Sequence, residues 1–287
     1  MTTPAPPSSS TDLHGRSLQT RSSLAQDLAA LGVRPGETLL VHSSLSSLGW
    51  VCGGAPAVVD ALLDALGPDG TLAVPTHSMD NTDPAGWQAP PVPEDWWPLI
   101  RAEMPGYDPR TSPTRGMGRI PDAVRAVPGA VRSAHPQSSF TALGARAAEV
   151  TEPHPLECNL GDDSPLGHLE RLGARVLLLG VGYDACTTFH LAEYRVPRPR
   201  LAPSSCAVLR ADGTREWVTY TDVELDDEGF PELGAAFEAA AHDDDGAASG
   251  AGGGGVVVGR VGDATARLFP LAAAAAFATA WLTEHRA

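Results

Sequence analysis

One histidine in this chain stands between two acids. In GVGYDACTTFHLAEYR, Gly180 to Arg195, His190 follows Asp184 by six positions and precedes Glu193 by three. A helix beginning near Thr187 or Thr188 sets His190 and Glu193 on one face, where side chains three apart touch. Asp184 falls in the loop after the apolar run ARVLLL, at the carboxyl end of a strand, where open α/β sheets bind ligands. An imidazole oriented by a carboxylate is the usual form of a general base near neutral pH. The alternative is a core histidine held by ordinary hydrogen bonds.

A second group is VHSSLSSLGWVCGG, Val41 to Gly54. Its hydroxyls, backbone N–H groups and following helix start suit a pyrophosphate. It carries neither a GK[ST] ending nor GxGxxG, so Walker and Rossmann sites are unsupported, and an ordinary capped connection reads equally well. The basic residues are 20 arginines with no lysine, which rules out lysine Schiff-base and Walker-lysine chemistry. Cys52, Cys158, Cys186 and Cys206 form no CxxC pair and read as free thiols of a cytoplasmic protein. A net charge of -15 disfavours nucleic acid and would draw in a polycation.

These residues need a scaffold, and the chain punctuates one. Leu24, Leu28 and Leu31 at helical spacing end at Gly32. ETLLVHSS, the serine loop, APAVVDALLDALG and GTLAVPTHS then form a βαβ unit. Residues 79–117, rich in Pro, Trp and acids, lack a period and read as an ordered lid. GRIPDAVRAVPG reads as a helix, SSFTALG as a strand and ARAAEVTEPHP as a helix. DSPLGHLERLG is a capped helix before ARVLLLGVG, the strongest buried strand. RADGTR marks a hairpin turn, 242–255 a flexible loop, and the alanine-rich end a terminal helix. That apolar end is too short for a membrane span of about 20 residues. Residues 1–15 read as a disordered tail without a signal-peptide pattern, and 16–287 as a single α/β domain.

VHSSLSSLG, RSAHPQSSFTALG, HPLECNLGDDSPLGHLERLGARVLLLGVGYDACTTFHLAEYR and GRVGDATARLF, in that order, resemble the aminoglycoside 3-N-acetyltransferases over about Leu24 to Leu282. The resemblance implies a three-layer α/β/α fold with a central mixed sheet, distinct from the GNAT acetyltransferases. It implies acetyl transfer from acetyl-CoA, without a metal, to the 3-amino group of the 2-deoxystreptamine ring of an aminoglycoside, giving antibiotic resistance. His190 then corresponds to the general base, oriented by Glu193 or Asp184, with Thr187, Thr188 or a backbone N–H donating to the thioester oxyanion.

The same likeness makes His42, Ser43, Ser44, Leu45, Ser46, Ser47 and Gly49 the coenzyme A loop. Val74, Pro75 and Thr76, with Ser138, Ser139 and Phe140, become walls of the pantetheine channel. Arg119 is a phosphate candidate, though a structural salt bridge serves it as well. Asp80, Asp83, Glu94 and Asp95, beside Trp87, Trp96 and Trp97, would meet the polycation, completed by Glu157 and Asp184. Cys186, four residues before His190, admits an acyl-enzyme route, but direct transfer in a ternary complex is expected. A monomer or homodimer fits. Rival readings are another natural-product amine as acceptor, a hydrolase using Ser43 or Ser44 without GxSxG, a metal site from His42, His77, His135 and His190 without HExxH, and a protein that only sequesters the drug.

Overall fold

Leu39, Leu40 and Val41 are fully buried, as are Leu72, Ala73 and Val74 and, further on, Val176, Leu177 and Leu178. Successive side chains of a strand point to opposite faces, so three such runs need cover on both sides. The computed structural model, which describes residues 15–244 and 255–286, supplies it. The chain begins with β1 (Leu18–Gln19), α1 (Arg21–Leu31), β2 (Thr38–Ser43), β3 (Trp50–Val51), α2 (Gly54–Leu66) and β4 (Thr71–Pro75). It continues through α3 (Trp97–Glu103), α4 (Arg119–Arg125), β5 (Val131–Arg132), β6 (Phe140–Gly144), α5 (Ala147–Thr151), α6 (Pro165–Arg171) and β7 (Arg175–Leu179). It closes with α7 (Thr188–Glu193), β8 (Leu201–Leu209), β9 (Arg215–Val223), α8 (Phe230–Asp244), β10 (Val257–Val261), β11 (Ala264–Pro270) and α9 (Leu271–His285).

Seven strands form one mixed sheet in the order β10-β11-β7-β2-β4-β6-β5. The three central strands β7, β2 and β4 run parallel, and the flanking pairs are antiparallel. Leu39, Val41, Leu72, Val74 and Leu177 pack against Leu24 and Leu28 of α1, Leu62 of α2 and Val124 of α4. Their neighbours Leu40, Ala73, Val176 and Leu178 pack on the opposite face with Leu166 of α6, Phe189 of α7, Leu233 of α8 and Ala274 of α9. Period-two alternation in the strands thus produces the three α/β/α layers.

The local signals hold where caps are strong. Thr20 and Ser23 form a reciprocal capping box on α1, which ends at Gly32 with φ 105°. Ser164, not Asp163, caps α6, with Pro165 in its first turn. β8 and β9 pair as the hairpin read from RADGTR, closed by the Gly213 N–H to Arg210 carbonyl bond of 2.8 Å. Residues 79–117 contain α3 and short 3-10 turns at Pro84–Gly86 and Glu94–Trp96. The segment also docks on the hairpin: the Asn81 amide gives and accepts 2.8 Å bonds with the backbone of Ala207, and the Tyr107 N–H donates to the Ala207 carbonyl. α8 runs to Asp244, so residues 242–244 of the expected 242–255 loop are helical; 245–254 of that loop and 1–14 of the expected tail lie outside the described residues. Among the described residues no helix is long and apolar enough to cross a membrane.

Candidate active site

The carboxyl ends of β2, β4 and β7 converge. β2 ends in His42 and Ser43, and β4 in Pro75, two residues before His77. β7 leads through Gly180–Gly182 into a 3-10 turn, Tyr183–Ala185, and then α7. Together they enclose a cleft of about 510 Å³ lined by His42, Ser43, Pro75, His77, Asp184 and His190, among others. Its position at the carboxyl ends of parallel strands is where α/β sheets place ligands. Gly180 makes the strand exit possible: at φ 71°, a Cβ there would lie 2.6 Å from the Ser47 Cβ. The Ser47 hydroxyl donates to the Gly180 carbonyl at 3.0 Å and lies 3.0 Å from the Ser44 hydroxyl, from which it can accept, tying the serine loop to that exit.

Glu193 is the carboxylate that orients the imidazole. His190 Nδ1 lies 2.7 Å from Glu193 Oε2, and the Glu193 side chain is only 6% exposed. The other oxygen, Oε1, accepts from the Asp226 N–H at 3.0 Å and from Arg286 at 2.6 Å. A carboxylate so held accepts the Nδ1 hydrogen and leaves Nε2 of His190 with a free lone pair. Asp184 is exposed on the cleft wall instead.

A second cavity, about 550 Å³, adjoins the first and shares Ser43, Gly116 and Met117 with it. Ser44, Leu45, Ser46, Gly49 and Arg119 of the expected coenzyme A residues line it. So do Trp50 and Gly54, at the end of the Val41–Gly54 group, and Arg16 and Gly118, to which nothing in the sequence drew attention. Gly54 opens α2, whose first turn has no side-chain cap.

Residues 40–283 match the family described as Aminoglycoside 3-N-acetyltransferase. The SPbeta prophage-derived aminoglycoside N(3')-acetyltransferase-like protein YokD of Bacillus subtilis is 44% identical over 268 residues, 93% of each chain. Aminoglycoside N(3)-acetyltransferase VII of Streptomyces paromomycinus is 39% identical over 280 residues, 92% of each chain. The solved structure of AAC-IIIb, a binary complex with CoASH, matches with a TM-score of 0.79 at 32% identity, covering 94% of this chain and 98% of its own. The chain belongs to the aminoglycoside 3-N-acetyltransferase family. Its architecture is accordingly that of these acyltransferases and not the GNAT fold.

In this acetyltransferase several expected site residues lie off the two cavities. Val74 is packed in the core, Phe140 is fully buried, and the Thr76 and Ser139 hydroxyls bond the carbonyls of Ser139 and Thr76 across the β4–β6 edge. Ser138 and Pro75 do reach the cleft. Thr188 is fully buried, whereas Thr187 lines the cleft with its hydroxyl 3.4 Å from His42 Nε2. The expected acceptor acids are mostly occupied elsewhere. Asp80 pairs with Arg115 at 2.7 Å, and Asp83 takes both guanidinium nitrogens of Arg101 at 3.0 and 2.7 Å. Glu94 and Asp95 open an exposed 3-10 turn, Trp97 starts α3, and Glu157 is exposed; none of them lines either cavity. Asp184 does, and Asp227, from the ELDDEGF segment after β9, joins it.

Cys186 also lines the cleft, but burial pushes its thiol up to about 12, so it stays protonated and unreactive. Cys186→Ala is therefore expected to keep kcat within about threefold of wild type in a steady-state assay, since a non-nucleophile contributes only packing. A loss as large as that of His190→Ala would establish an acyl-enzyme.

The other histidines divide between cleft and scaffold. Burial, then the proximity of His190, hold His42 and His77 down at about 3. His135 accepts from the N–H groups of Gln137 and Ser138 at 3.2 and 3.1 Å, and its Nε2 meets the Leu156 carbonyl at 3.1 Å. It stacks on His154, whose ring bridges the Ser133 hydroxyl and the Asn159 carbonyl. No group of three or more His, Cys, Asp or Glu among the described residues is placed to hold a metal.

Burial also lowers His135 to about 4 and His154 well below its ordinary 6.5. Below pH 6.5 the unfolded chain protonates His42, His77, His135 and His154 while the folded chain does not. Stability is thus full above that pH and falls as the pH drops through the window towards 3. Thermal melts should show Tm declining between about pH 6.5 and about pH 4, and a flat profile would contradict these buried neutral rings.

Proposed function

We propose that the protein transfers acetyl from acetyl-CoA to the 3-amino group of the 2-deoxystreptamine ring of an aminoglycoside, directly in a ternary complex, with His190 as general base. The observation that carries this reading is the imidazole itself: Nδ1 pinned by buried Glu193 and Nε2 free, in a cleft continuous with a serine-lined cavity at Ser43. The second cavity fits the donor. Ser43 has a buried hydroxyl without a partner, and Arg16, Arg119 and the uncapped start of α2 offer charge and N–H groups for phosphates. The donor supplies an acyl carbon activated as a thioester.

An aminoglycoside amine is mostly protonated at neutral pH and must shed a proton to attack. That proton leaves to solvent, and His190 Nε2 accepts the second one as nitrogen bonds to carbon; Glu193 holds the resulting imidazolium in place and balances its charge. Asp184 and Asp227 give the polycation two carboxylates on the cleft wall, backed by the net charge of -15. Asp184→Asn should raise KM for the aminoglycoside by roughly threefold to tenfold with little change in kcat, an effect that shrinks with added salt. An unchanged KM at low salt would remove Asp184 from acceptor binding.

The test of the reading is a panel of aminoglycosides and other polyamines incubated with acetyl-CoA and read by mass spectrometry, with the modified nitrogen located by NMR. One acetyl on the 3-amino group supports it. Acetylation of a different natural-product amine alone would move the acceptor class, and no product with any amine would refute the transfer.

A further inference from the structure

Two polar atoms on the cleft wall are buried and have no hydrogen-bond partner, the Ser43 hydroxyl and His77 Nε2. Native proteins rarely leave such atoms orphaned, and a pair in one cleft marks a place for a ligand atom. Both sit at the carboxyl ends of neighbouring parallel strands, Ser43 as the last residue of β2 and His77 two residues beyond β4. Both line the same cleft as His190, and Ser43 also borders the second cavity, so the pair lies toward the junction of the two spaces. The other buried unpartnered side-chain atoms among the described residues, Thr188 Oγ1 and Trp97 Nε1, belong to residues that line neither space.

The surroundings of His77 decide what that ligand atom is. Its ring is 7% exposed and set edge-on to Phe140 at 5.3 Å, and its carbonyl accepts the Arg115 N–H at 2.9 Å, so it is fixed in advance. The charged and titratable groups acting on it are His190, His42, His135 and Arg132, all of which carry positive charge or none. Burial and these neighbours keep the ring neutral, down at about 3. A neutral imidazole in that setting is unsuited as a base; what it offers is an N–H, and the field around it favours an anionic oxygen.

We propose that His77, through an imidazole N–H, and Ser43, through its hydroxyl, form the oxyanion hole of the acyl transfer. This rests on the acetyl-transfer reading given above. As the amine nitrogen bonds to the thioester carbon, the carbonyl π pair moves onto oxygen, where His77 and Ser43 donate to it, and His190 Nε2 takes the amine proton. When that pair returns, the carbon–sulfur bond breaks and the thiolate takes the proton from His190. No further reactant is needed. The transfer thus uses two imidazoles in opposite roles, one as base and one as fixed donor.

The test compares His77→Leu, which deletes the donor, with His77→Gln, which retains one, and Ser43→Ala, under saturating acetyl-CoA and aminoglycoside. Loss of one oxyanion donor is expected to lower kcat by about 10²–10³-fold in His77→Leu, with KM for both substrates within about threefold. His77→Gln should recover at least about tenfold of that loss, a rescue that a packing role would not give. Ser43→Ala should fall by about tenfold or more. Thermal melts identify any variant that does not fold, and His77→Met replaces His77→Leu in that event. Wild-type-like kcat in the folded donorless variant, or a loss confined to KM, overturns the proposal while leaving acetyl transfer intact. A silent wild type overturns both.

Discussion

His190→Ala should lose about 10²–10⁴-fold in kcat, the range that a positioned general base supplies. The argument is geometric. His190 stands in α7, its Nδ1 is held at 2.7 Å by Glu193, and its side chain is 15% exposed, so the ring is anchored on one side and open on the other. Removing it leaves the cleft walls from β2 and β4 and the second cavity in place, so both substrates should still bind. The expected pattern is therefore a kcat effect with KM changed by less than about threefold, which assigns the lost interaction to the transition state. Steady-state kinetics with the aminoglycoside and acetyl-CoA varied in turn check it. A variant that retains a tenth of wild-type kcat would remove His190 from proton transfer.

The second large effect falls on Glu193, which holds two structures together. Its Oε2 fixes the His190 ring and its Oε1 binds Arg286 and the Asp226 N–H. Glu193→Ala frees the imidazole to change tautomer and orientation, a loss that in other base–carboxylate pairs reaches about 10⁴-fold. It also removes one partner of the Arg286 guanidinium, which is 27% exposed and keeps the Asp226 carboxylate at 3.8 Å and the carbonyls of Asp226 and Glu228. Losing the Glu193 hydrogen bonds while those partners remain costs about 1–2 kcal/mol, or roughly 2–6 °C in Tm. Glu193→Ala/Arg286→Met should regain part of that stability, because the second change removes the half-paired charge, yet stay inactive. Calorimetry and kinetics on the three variants separate the roles. Recovery of turnover in the double variant would show that Glu193 matters only for folding.

How far these residues could be read beforehand depends on distance along the chain. His190 and Glu193 are three apart in one helix, so their contact follows from local geometry alone. The βαβ unit from β2 to β4 is similarly local, its breaks marked by glycines that must turn. Arg286 reaches Glu193 from 93 positions away and Asp226 from 33, and nothing in either segment announces that meeting. Asp184 and Glu193 fit the spacing equally well; the choice between them rests on which one α7, α9 and the segment after β9 bury. Arg16 approaches the serine loop only through the pairing of β1 with β3, a contact between segments more than 30 residues apart.

The acids of residues 79–117 show the opposite failure. Composition suggested a carboxylate cluster for a polycation, but Asp80 and Asp83 find arginine partners within their own segment. The acids that do face the cleft, Asp184 and Asp227, come from two separated loops. Val74, Thr76, Ser139 and Phe140 are placed on the wall by the family resemblance, which covers whole segments and not single side chains. Alternation turns Val74, Thr76 and Ser139 away while Pro75, His77 and Ser138 reach the cleft; Phe140 shares the face of its cross-strand partner Pro75 but lies deeper, packed in the core.

The most direct trial of the central claim is a crystal structure with an aminoglycoside and a non-transferable acetyl-CoA analogue bound together. The acceptor nitrogen should lie about 2.6–3.2 Å from His190 Nε2 and in line with the acyl carbon. An acceptor nitrogen held by another group, with His190 remote from both ligands, would contradict the account.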